Sequence, residues 1–231
     1  MTRLPVIAID GPAGAGKSTA ARLLADRLGY VLIDTGALYR AVALVARERD
    51  LSWSDGPALG ALARGLVLRF GAGESERPPL FVDGVDRSAD IRTEDISQGA
   101  SRVSAHPEVR EALLGVQRAM GREGGVVMEG RDIGTVVFPD ADVKVFLTAS
   151  VDARAARRSE ELVARGVQRD NDAVRREIEE RDERDTHRAV APLRRAEDAV
   201  YLDTSALGLD AVVDRLTTLV ADVVRARSAT D

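Results

Sequence analysis

The feature that most constrains the fold is a glycine-rich octapeptide near the N-terminus, Gly11–Ser18, with the pattern G-x-x-x-x-G-K-S. An apolar run, Val6–Ile9, comes directly before it, and a helical pattern over 17–28 follows. In this strand–loop–helix context glycines let successive backbone N–H groups point inward, and the helix N-terminus adds partial positive charge. The octapeptide therefore predicts a triphosphate site on an α/β sheet.

Each residue type in this loop has a distinct expected task. Lys17 is one of only two lysines in the chain, the other being Lys144, and its compact ammonium suits a tight space where arginine does not fit. We expect Lys17 to reach the β- and γ-phosphates and the Ser18 hydroxyl to face Mg²⁺. The residues expected to contact the bound nucleotide are Gly11, Pro12, Ala13, Gly14, Ala15, Gly16, Lys17, Ser18 and Thr19.

Strand-like and helical patterns alternate along the whole chain. The apolar runs typical of buried strands are Val6–Ile9, Tyr30–Ile33, Gly125–Met128, Val143–Leu147 and Ala199–Leu202. Helical patterns lie near 17–28, 37–49, 107–120, 151–165, 170–188 and 209–226. Short runs rich in β-branched residues are typical of parallel strands covered by helices on both faces. The pattern predicts a doubly wound parallel α/β sheet.

One segment, 65–96, breaks this alternation. Leu66–Phe70 is followed by a Gly/Glu/Pro-rich link and then by Leu80–Asp86, in which Asp83-Gly84 separates two short apolar runs. Because Asp-Gly between such runs is a hairpin signal, we expect a small antiparallel β insertion. A chain of 231 residues forms one core. We assign that core to 1–64, 97–156 and 170–231.

Composition narrows the class of protein. With 45% hydrophobic and 31% charged residues, the chain has the make-up of a soluble globular protein, and no apolar run approaches the roughly 20 residues of a membrane helix. A net charge of −5 argues against a nucleic-acid polymer as partner, since such binders are usually basic. Cysteine is absent, which excludes disulfides and thiolate metal sites. We expect a cytoplasmic protein.

Arginines follow the ends of two predicted strands. Arg40 lies one turn into the helix after Asp34, and Arg131 and Asp132 follow the third strand. Since the carboxyl ends of parallel strands form the ligand crevice of an open α/β sheet, these positions face the same cleft as the glycine-rich loop. They are candidates for holding a second phosphorylated ligand.

A charged segment at 180–188 repeats the same residue types. Arg181, Asp185 and Arg188 recur at i, i+4 and i+7, which places them on one helix face within roughly 10 Å. Such a row can bind a ribose hydroxyl through the carboxylate and phosphate through the guanidinium groups. The alternative is a solvated helix face with i,i+4 ion pairs.

A third group of arginines, Arg154, Arg157 and Arg158, precedes a helical stretch that ends at Gly166. Arginines beside a short excursion suit a lid over a triphosphate, and we assign this lid to 157–169. The alternative is a plain exposed helix. No guanine-binding Asn-Lys-x-Asp sequence occurs, which disfavours a GTPase.

Taken in order, these stretches resemble the bacterial cytidylate kinase family of nucleoside monophosphate kinases. The matching segments are 9–19, 34–40, 90–94, 130–141 and 180–193, of which 130–141 is the most specific. The resemblance implies a P-loop kinase fold with an enlarged monophosphate-binding insert at 65–96 and a short lid. It implies a monomer that transfers a phosphoryl group from ATP·Mg²⁺ to CMP or dCMP.

The resemblance also implies a role for each matching position. Ser101, Arg110 and Asp132 would read the cytosine edge, and Thr35 and Tyr39 would line the acceptor site. Arg181 and Asp185 would hold the sugar, while Arg40, Arg131 and Arg188 would hold the phosphate. Lys17, Arg131, Arg157, Arg158 and Arg188 would be catalytic. Family members often have Asp where this chain has Glu129, and Ser where it has Thr35.

Two other functions fit parts of the pattern. One is a kinase for a different small acceptor, such as UMP, AMP or a non-nucleotide alcohol, because the loop alone does not define the acceptor. The other is a non-catalytic ATP-binding switch, which would leave an arginine-rich acceptor cleft without a task.

Overall fold

A computed structural model of the chain describes residues 3–71, 78–164 and 166–228. The elements in chain order are β1 (Val6–Asp10), α1 (Lys17–Leu28), β2 (Val31–Asp34), α2 (Thr35–Glu48), α3 (Gly56–Gly65), β3 (Leu68–Phe70), β4 (Leu80–Val82), β5 (Val85–Asp86), α4 (Glu94–Val103), α5 (Pro107–Gly121), β6 (Val126–Gly130), β7 (Val143–Thr148), α6 (Val151–Ala164), α7 (Asn171–His187), β8 (Val200–Asp203) and α8 (Leu209–Ser228). A 3₁₀ turn at Asp90–Arg92 and a π-helical turn at Ile133–Val137 lie between them.

The main sheet has five strands in the order β2-β6-β1-β7-β8, all parallel. This confirms the predicted doubly wound α/β class. The five predicted strands and six predicted helices are present, and their ends shift by at most two residues. The last residue of the predicted helix 151–165 lies outside the described residues.

The central strand β1 is apolar on both faces because helices cover both sides of the sheet. Ile7 and Ile9 pack with α1 and α8 in one core cluster. Val6 and Ala8 pack on the opposite face with Met128 and the π-helical turn. Alternate side chains of a strand point to opposite faces, so two core layers meet at this strand. The layers fix the carboxyl end of β1, where the glycine-rich loop begins.

The predicted β insertion is a separate three-stranded antiparallel sheet, in the order β3-β4-β5. Its hairpin turn is the predicted Asp83-Gly84 pair, with φ of 50° and 84°, as a two-residue hairpin requires. Within the predicted Gly/Glu/Pro-rich link, residues 72–77 lie outside the described residues. The end of the 65–96 range is helical instead of extended, because α4 begins at Glu94.

Two helices, α3 and α4, have no counterpart in the sequence prediction. Helix α3 contains glycines at 56, 60 and 65, which have low intrinsic helix propensity. The Asp55 side chain caps α3 by accepting from the Ala58 N–H at 3.0 Å, and Pro57 stands in the first turn. A Cβ at Gly60 would lie 2.5 Å from the Glu108 Cβ on α5. Tertiary packing therefore selects this helix against its propensity.

Membrane insertion has no candidate helix in the described ranges. No helix there is long and apolar enough to cross a bilayer.

Candidate active site

The glycine-rich loop curls because its glycines occupy conformations that other residues avoid. Gly14 and Gly16 have φ of 72° and 88°, in the left-handed region that glycine adopts at little cost. Gly11 has φ of 150°, and a Cβ there would lie 1.9 Å from the Leu147 carbonyl oxygen of β7. The sheet thus presses against the start of the loop, and α1 begins at Lys17 with Gly16 as its N-cap.

Lys17 is buried at the mouth of this loop, 5% exposed. Its Nζ donates to the Pro12 carbonyl oxygen at 2.7 Å. Burial lowers the pKa of Lys17 to about 7, and the nearby Arg131 acts in the same direction, against the carboxylate of Glu129. A negatively charged ligand would favour the charged form of this ammonium.

The loop opens into a single cleft of about 1050 Å³. Gly11 and Pro12 are not among its lining residues. The other predicted positions that line it are Ala13, Gly14, Ala15, Gly16, Lys17, Ser18, Thr19, Thr35, Tyr39, Arg40, Ser101, Arg110, Arg131, Asp132, Arg157, Arg158, Arg181, Asp185 and Arg188. Ala13 and Arg188, which are 175 residues apart in sequence, therefore line the same cavity.

Two buried carboxylates organise the arginines of this cleft. Asp132 binds Arg110 through Oδ2, and its Oδ1 lies 3.4 Å from Arg188 Nη2. Asp185 Oδ2 accepts from Arg131 Nε at 2.8 Å, and its Oδ1 lies 4.0 Å from Arg188 Nη1. Burial alone would raise the pKa of Asp185, but Arg131 and Arg181 outweigh it and hold that pKa below its usual value. Both carboxylates therefore keep guanidinium groups aimed into the cleft.

Several guanidinium groups retain unused donors. Within the described residues, the Nε atoms of Arg40, Arg110 and Arg181 are buried and have no hydrogen-bond partner. Burial lowers the pKa of Arg181 to about 10, and Arg131 adds to the effect. An unpaired buried donor costs about 1–3 kcal/mol, so these groups favour a ligand that supplies acceptor oxygens. A phosphate or sugar ligand meets that need.

Arg188 differs in one respect from its predicted place on a helix face. Helix α7 ends at His187, and Arg188 has extended backbone, with φ of −64° and ψ of 142°. Its side chain nevertheless points to Asp132 and Asp185, because Nε donates to the Ala191 carbonyl oxygen beyond the helix. Arg181 and Asp185 lie within α7 as predicted.

The predicted base-reading residues lie together at the α4–α5 side of the cleft. The Arg110 guanidinium is 5.5 Å from the centroid of the Tyr39 ring. Ser101, on α4, is buried, and its Oγ lies 3.4 Å from Arg184 Nε. This corner offers a hydroxyl, a guanidinium group and, at Asp132, a carboxylate. Such a set can satisfy both donors and acceptors of a nucleobase edge.

Asp132 is held in place by a feature that the sequence pattern did not predict. Directly after it comes the π-helical turn, whose first amides, Ile133 N–H and Gly134 N–H, donate to Asp10 at 2.8 and 2.7 Å. Burial raises the pKa of Asp10 to about 6, although these two amide donors act in the opposite direction. The end of β1 thus fixes the turn that follows β6.

Helix α2 is anchored to the same strand ends. Asp34 caps it by accepting from the Ala37 N–H at 3.2 Å and binds Arg40 Nη2 at 2.6 Å. The Thr35 hydroxyl donates to the Glu129 carbonyl oxygen at 2.7 Å. Arg40 and Thr35 are therefore positioned by β2 and β6, and for Arg40 its place after a strand predicted this.

The three donor-side arginines have different surroundings. Arg157 donates to the Thr204 carbonyl oxygen at 2.6 Å and lines the cleft. Arg158 Nη1 lies 2.8 Å from Glu161 on the same helix and also lines the cleft. Arg154 is buried and does not line it. Residues 157–164 of the predicted lid are the second half of α6, and residue 165 lies outside the described residues.

Functional candidates outside the predicted site residues also emerge. Glu129, at the end of β6, is buried near Lys17 and Ser18, and its Oε1 has no hydrogen-bond partner in the part of the chain that the structure describes. Burial raises the pKa of Glu129, and the negative charge of Asp34 raises it further. Arg184 lines the cleft beside Ser101. The position of Glu129 at the end of a strand was a sequence signal for a site residue. Arg184 had no such signal, because most residues of α7 are charged.

A parallel sheet in this strand order, with a phosphate loop after β1 and cations after β2 and β6, defines a kinase of the P-loop class. The model of the family described as cytidylate kinase matches residues 7–222. A cytidylate kinase of Exiguobacterium sibiricum is 51% identical over 213 residues, 92% of this chain and 95% of that protein. One of Syntrophotalea carbinolica is 50% identical, covering 96% and 94%.

The chain therefore belongs to the cytidylate kinase family, and it is a nucleoside monophosphate kinase. A structure of shikimate kinase from Acinetobacter baumannii, in complex with shikimate, is a distant likeness. It is 16% identical with a TM-score of 0.47, over 95% of this chain and 94% of that chain.

Proposed function

We propose that the protein transfers the γ-phosphoryl group of ATP to CMP and to dCMP, giving ADP with CDP or dCDP. One observation carries this proposal: the glycine-rich loop and the arginine cluster line a single cavity. Two phosphorylated ligands bound there would have their phosphates adjacent. The family relationship, whose printed name refers to cytidylate, supports cytidine monophosphate as acceptor.

The donor would occupy the glycine-rich loop. Backbone amides of Gly14–Thr19 would bind its phosphates, since the Ala13 N–H already donates to Asp182, and Lys17 would stabilise negative charge that moves onto the β–γ bridging oxygen. A Mg²⁺ ion bound with the triphosphate would neutralise the phosphate oxygens, with ligands from the Ser18 hydroxyl, phosphate and water. The unpartnered Oε1 of Glu129 beside Ser18 fits this arrangement, because a buried carboxylate oxygen can accept from an ion's water shell.

The acceptor would occupy the arginine cluster. Arg40, Arg131 and Arg188 would bind its 5′-phosphate, and Arg181 and Asp185 would bind the ribose. The base would lie against Ser101, Arg110 and Asp132, with Thr35 and Tyr39 completing the wall. The buried Nε atoms of Arg40 and Arg181 would then gain acceptors.

The reaction needs no general base. A phosphate monoester has a second pKa of about 6, so the acceptor oxygen is largely ionised at neutral pH. That oxygen forms a bond to the γ-phosphorus while the bond from the γ-phosphorus to the β–γ bridging oxygen breaks, and the electron pair stays on ADP. The positively charged side chains supply position and charge stabilisation.

Closure of the cleft is part of the proposal. We place a lid at 157–169, with Arg157 and Arg158 over the transferring group, and a movable monophosphate-binding insert at 65–96. Movement of both towards the cleft would exclude water from the phosphates. The cytoplasmic location and the monomeric state stay predictions, and light scattering of the purified protein measures the second.

An acceptor panel at fixed ATP·Mg²⁺ tests the proposal. ADP release is measured with CMP, dCMP, UMP and AMP, and kcat/KM is compared. We expect CMP and dCMP to be preferred by about 10²-fold or more, since buried polar groups reject a base that leaves them unpaired. A preference for UMP or AMP would contradict the assigned acceptor, and ATP binding without acceptor-dependent turnover would indicate a switch.

A further inference from the structure

The Ala13 peptide groups in the glycine-rich loop are held by two side chains from outside the loop. The Ala13 N–H donates to Asp182 Oδ1 at 3.2 Å. The Ala13 carbonyl oxygen accepts from Arg154 Nη1 at 3.0 Å. Both polar backbone groups of one loop residue are therefore bound by a carboxylate on α7 and a guanidinium group on α6.

These two side chains also bind each other. Arg154 Nη1 pairs with Asp182 Oδ2, and Arg154 Nε donates to the Ala149 carbonyl oxygen at 3.0 Å. The side chain of Arg154 is 6% exposed and that of Asp182 is 21% exposed. Ala149 follows β7, so Arg154 joins the loop after β1 to the chain after β7. We call this arrangement of Arg154, Asp182 and the Ala13 peptide the loop clamp.

The loop clamp is more than a contact between α6 and α7. Those helices already pack through an apolar cluster of Ala155, Leu162, Val174 and Ile178. Arg154 and Asp182 instead reach out of that interface to the loop. Arg154 also approaches Gly14 closely, because a Cβ at Gly14 would lie 3.3 Å from the Arg154 Cβ. The clamp thus contacts two successive residues of the loop, Ala13 and Gly14.

Helix α7 links this clamp to the acceptor side of the cleft. Asp182 follows Arg181 directly and precedes Asp185 by three residues, so all three lie within about one helical turn. Asp185 in turn accepts from Arg131. A small rotation of α7 would therefore move the acceptor residues and the loop partner together.

We propose that Arg154 and Asp182 are positioning residues that orient the donor loop and couple donor binding to acceptor binding through α7. This inference rests on the proposed function for the identity of the two ligands. Holding the Ala13 peptide restricts the conformations of the amides that follow it. Phosphate binding therefore costs less conformational entropy. Because coupling is reciprocal, an acceptor on Arg181 and Asp185 would tighten donor binding by the same factor as the reverse.

The test uses full-length protein and MgADP as probe, with affinity measured by titration calorimetry. Asp182→Ala is expected to weaken MgADP binding by about tenfold or more, since it leaves the buried Arg154 guanidinium group without its carboxylate and the Ala13 N–H without a partner. Asp182→Asn keeps an acceptor for that N–H and should lose less. Glu183→Ala is the matched control, because Glu183 is exposed on the same helix and pairs with His187.

A double variant separates positioning from stability. Arg154→Met combined with Asp182→Ala replaces a buried ion pair by apolar side chains, which often restores stability. We expect the thermal midpoint to recover relative to Asp182→Ala, while MgADP affinity stays low because the Ala13 peptide now lacks both of its side-chain partners. Recovery of both properties together would assign the pair a structural role only and overturn the proposal.

Kinetics give the second readout. At temperatures well below the midpoint, Asp182→Ala should raise the KM for ATP, and the ability of saturating CMP to lower that KM should be lost. An ATP KM within about twofold of the wild-type value would overturn the clamp, whatever happens to the midpoint. Failure of the wild-type enzyme to use CMP would instead sink the proposed function, and the MgADP arm would still decide the clamp.

Discussion

In the proposed function, the donor loop and the acceptor cluster would bind phosphate by opposite means. The loop, 11–18, is one continuous segment whose backbone amides would form the site, with a single lysine. The acceptor cluster is assembled from side chains of α2, α4, α5, α7 and the end of β6, and its cations are arginines held by carboxylates. A continuous backbone site depends on local geometry, whereas a side-chain cluster depends on how five elements pack.

The two regions also differ in their response to protons. Burial lowers the pKa of Lys17 to about 7, so the donor cation titrates near neutral pH. On the acceptor side, burial also acts to lower the pKa of Arg131, but Asp185 and Glu129 outweigh it and raise that pKa above the ordinary value. The charge of Arg131 is therefore constant across the pH range in which the charge of Lys17 changes.

The largest expected effect is at Lys17, the cation of the glycine-rich loop. Lys17→Ala should lower kcat by about 10³-fold, the scale for losing one group that stabilises developing charge. The fold should persist, because burial of the Lys17 charge is unfavourable and the variant removes that charge. Stopped assays of CDP formation measure the loss, with circular dichroism as the control for folding. A loss below about tenfold would contradict the role given to Lys17.

The next effect is expected on the use of the acceptor, while donor binding stays almost unchanged. Arg110→Met should lower kcat/KM for CMP by about 10²-fold, because the base edge and Asp132 lose their shared partner, while the KM for ATP changes by less than about twofold. Arg122→Met is the matched control, since Arg122 is exposed at the end of the same helix. An equal rise in both KM values would indicate that the two regions are not separable.

A smaller effect follows from the titration of Lys17. Phosphate oxygens favour the charged ammonium, so its pKa is higher in the complex than the value of about 7 in the free protein. Above pH 7 the free protein holds fewer protons, binding takes up a proton, and MgADP affinity should fall by up to about tenfold per pH unit.

Calorimetry in buffers with different ionisation enthalpies measures this proton uptake. Lys17→Arg is the control, because its guanidinium group stays charged and should give a flat profile. A flat profile in the wild-type protein would break the proposed contrast between the two regions.

The smallest effect is expected at Thr35. Thr35→Ser keeps the hydroxyl that donates to the Glu129 carbonyl oxygen, so kcat/KM for CMP should change by less than about threefold. Thr35→Val removes that donor and should cost about tenfold, equal to the usual net worth of one buried hydrogen bond. Equal activity of the two variants would show that the hydroxyl has no part in acceptor binding.

Much of the fold was readable because its signals are local. The glycine loop, the parallel strands and the Asp83-Gly84 hairpin each follow from short-range pattern, and the structure confirms all three. Helix α3 was missed because its glycines disfavour a helix, and only the contact with Glu108 on α5 accounts for it. The π-helical turn was missed for a related reason, because its amides are satisfied by Asp10, which is more than a hundred residues away.

The residues of the candidate site also divide into those that have a local sequence signal and those that have none. Arg40, Arg131 and Asp132 were found from their places at strand ends, because the carboxyl ends of parallel strands always meet at one edge. Asp182 was not found, because in a helix where most residues are charged nothing local distinguishes it from Glu183. What distinguishes Asp182 is the hydrogen bond that it accepts from the N–H of Ala13, which is 169 positions away in sequence.

The sequence by itself determined the phosphate loop, the parallel α/β class and the residue types of the acceptor cleft. These follow from backbone freedom at glycine, from strand periodicity and from the charge that phosphate requires. Tertiary structure alone decided which charged residues of α6 and α7 face the loop, the cleft or solvent. An ion pair, a cap or a clamp depends on distances between elements, and the packing of helices on both faces of the sheet sets those distances.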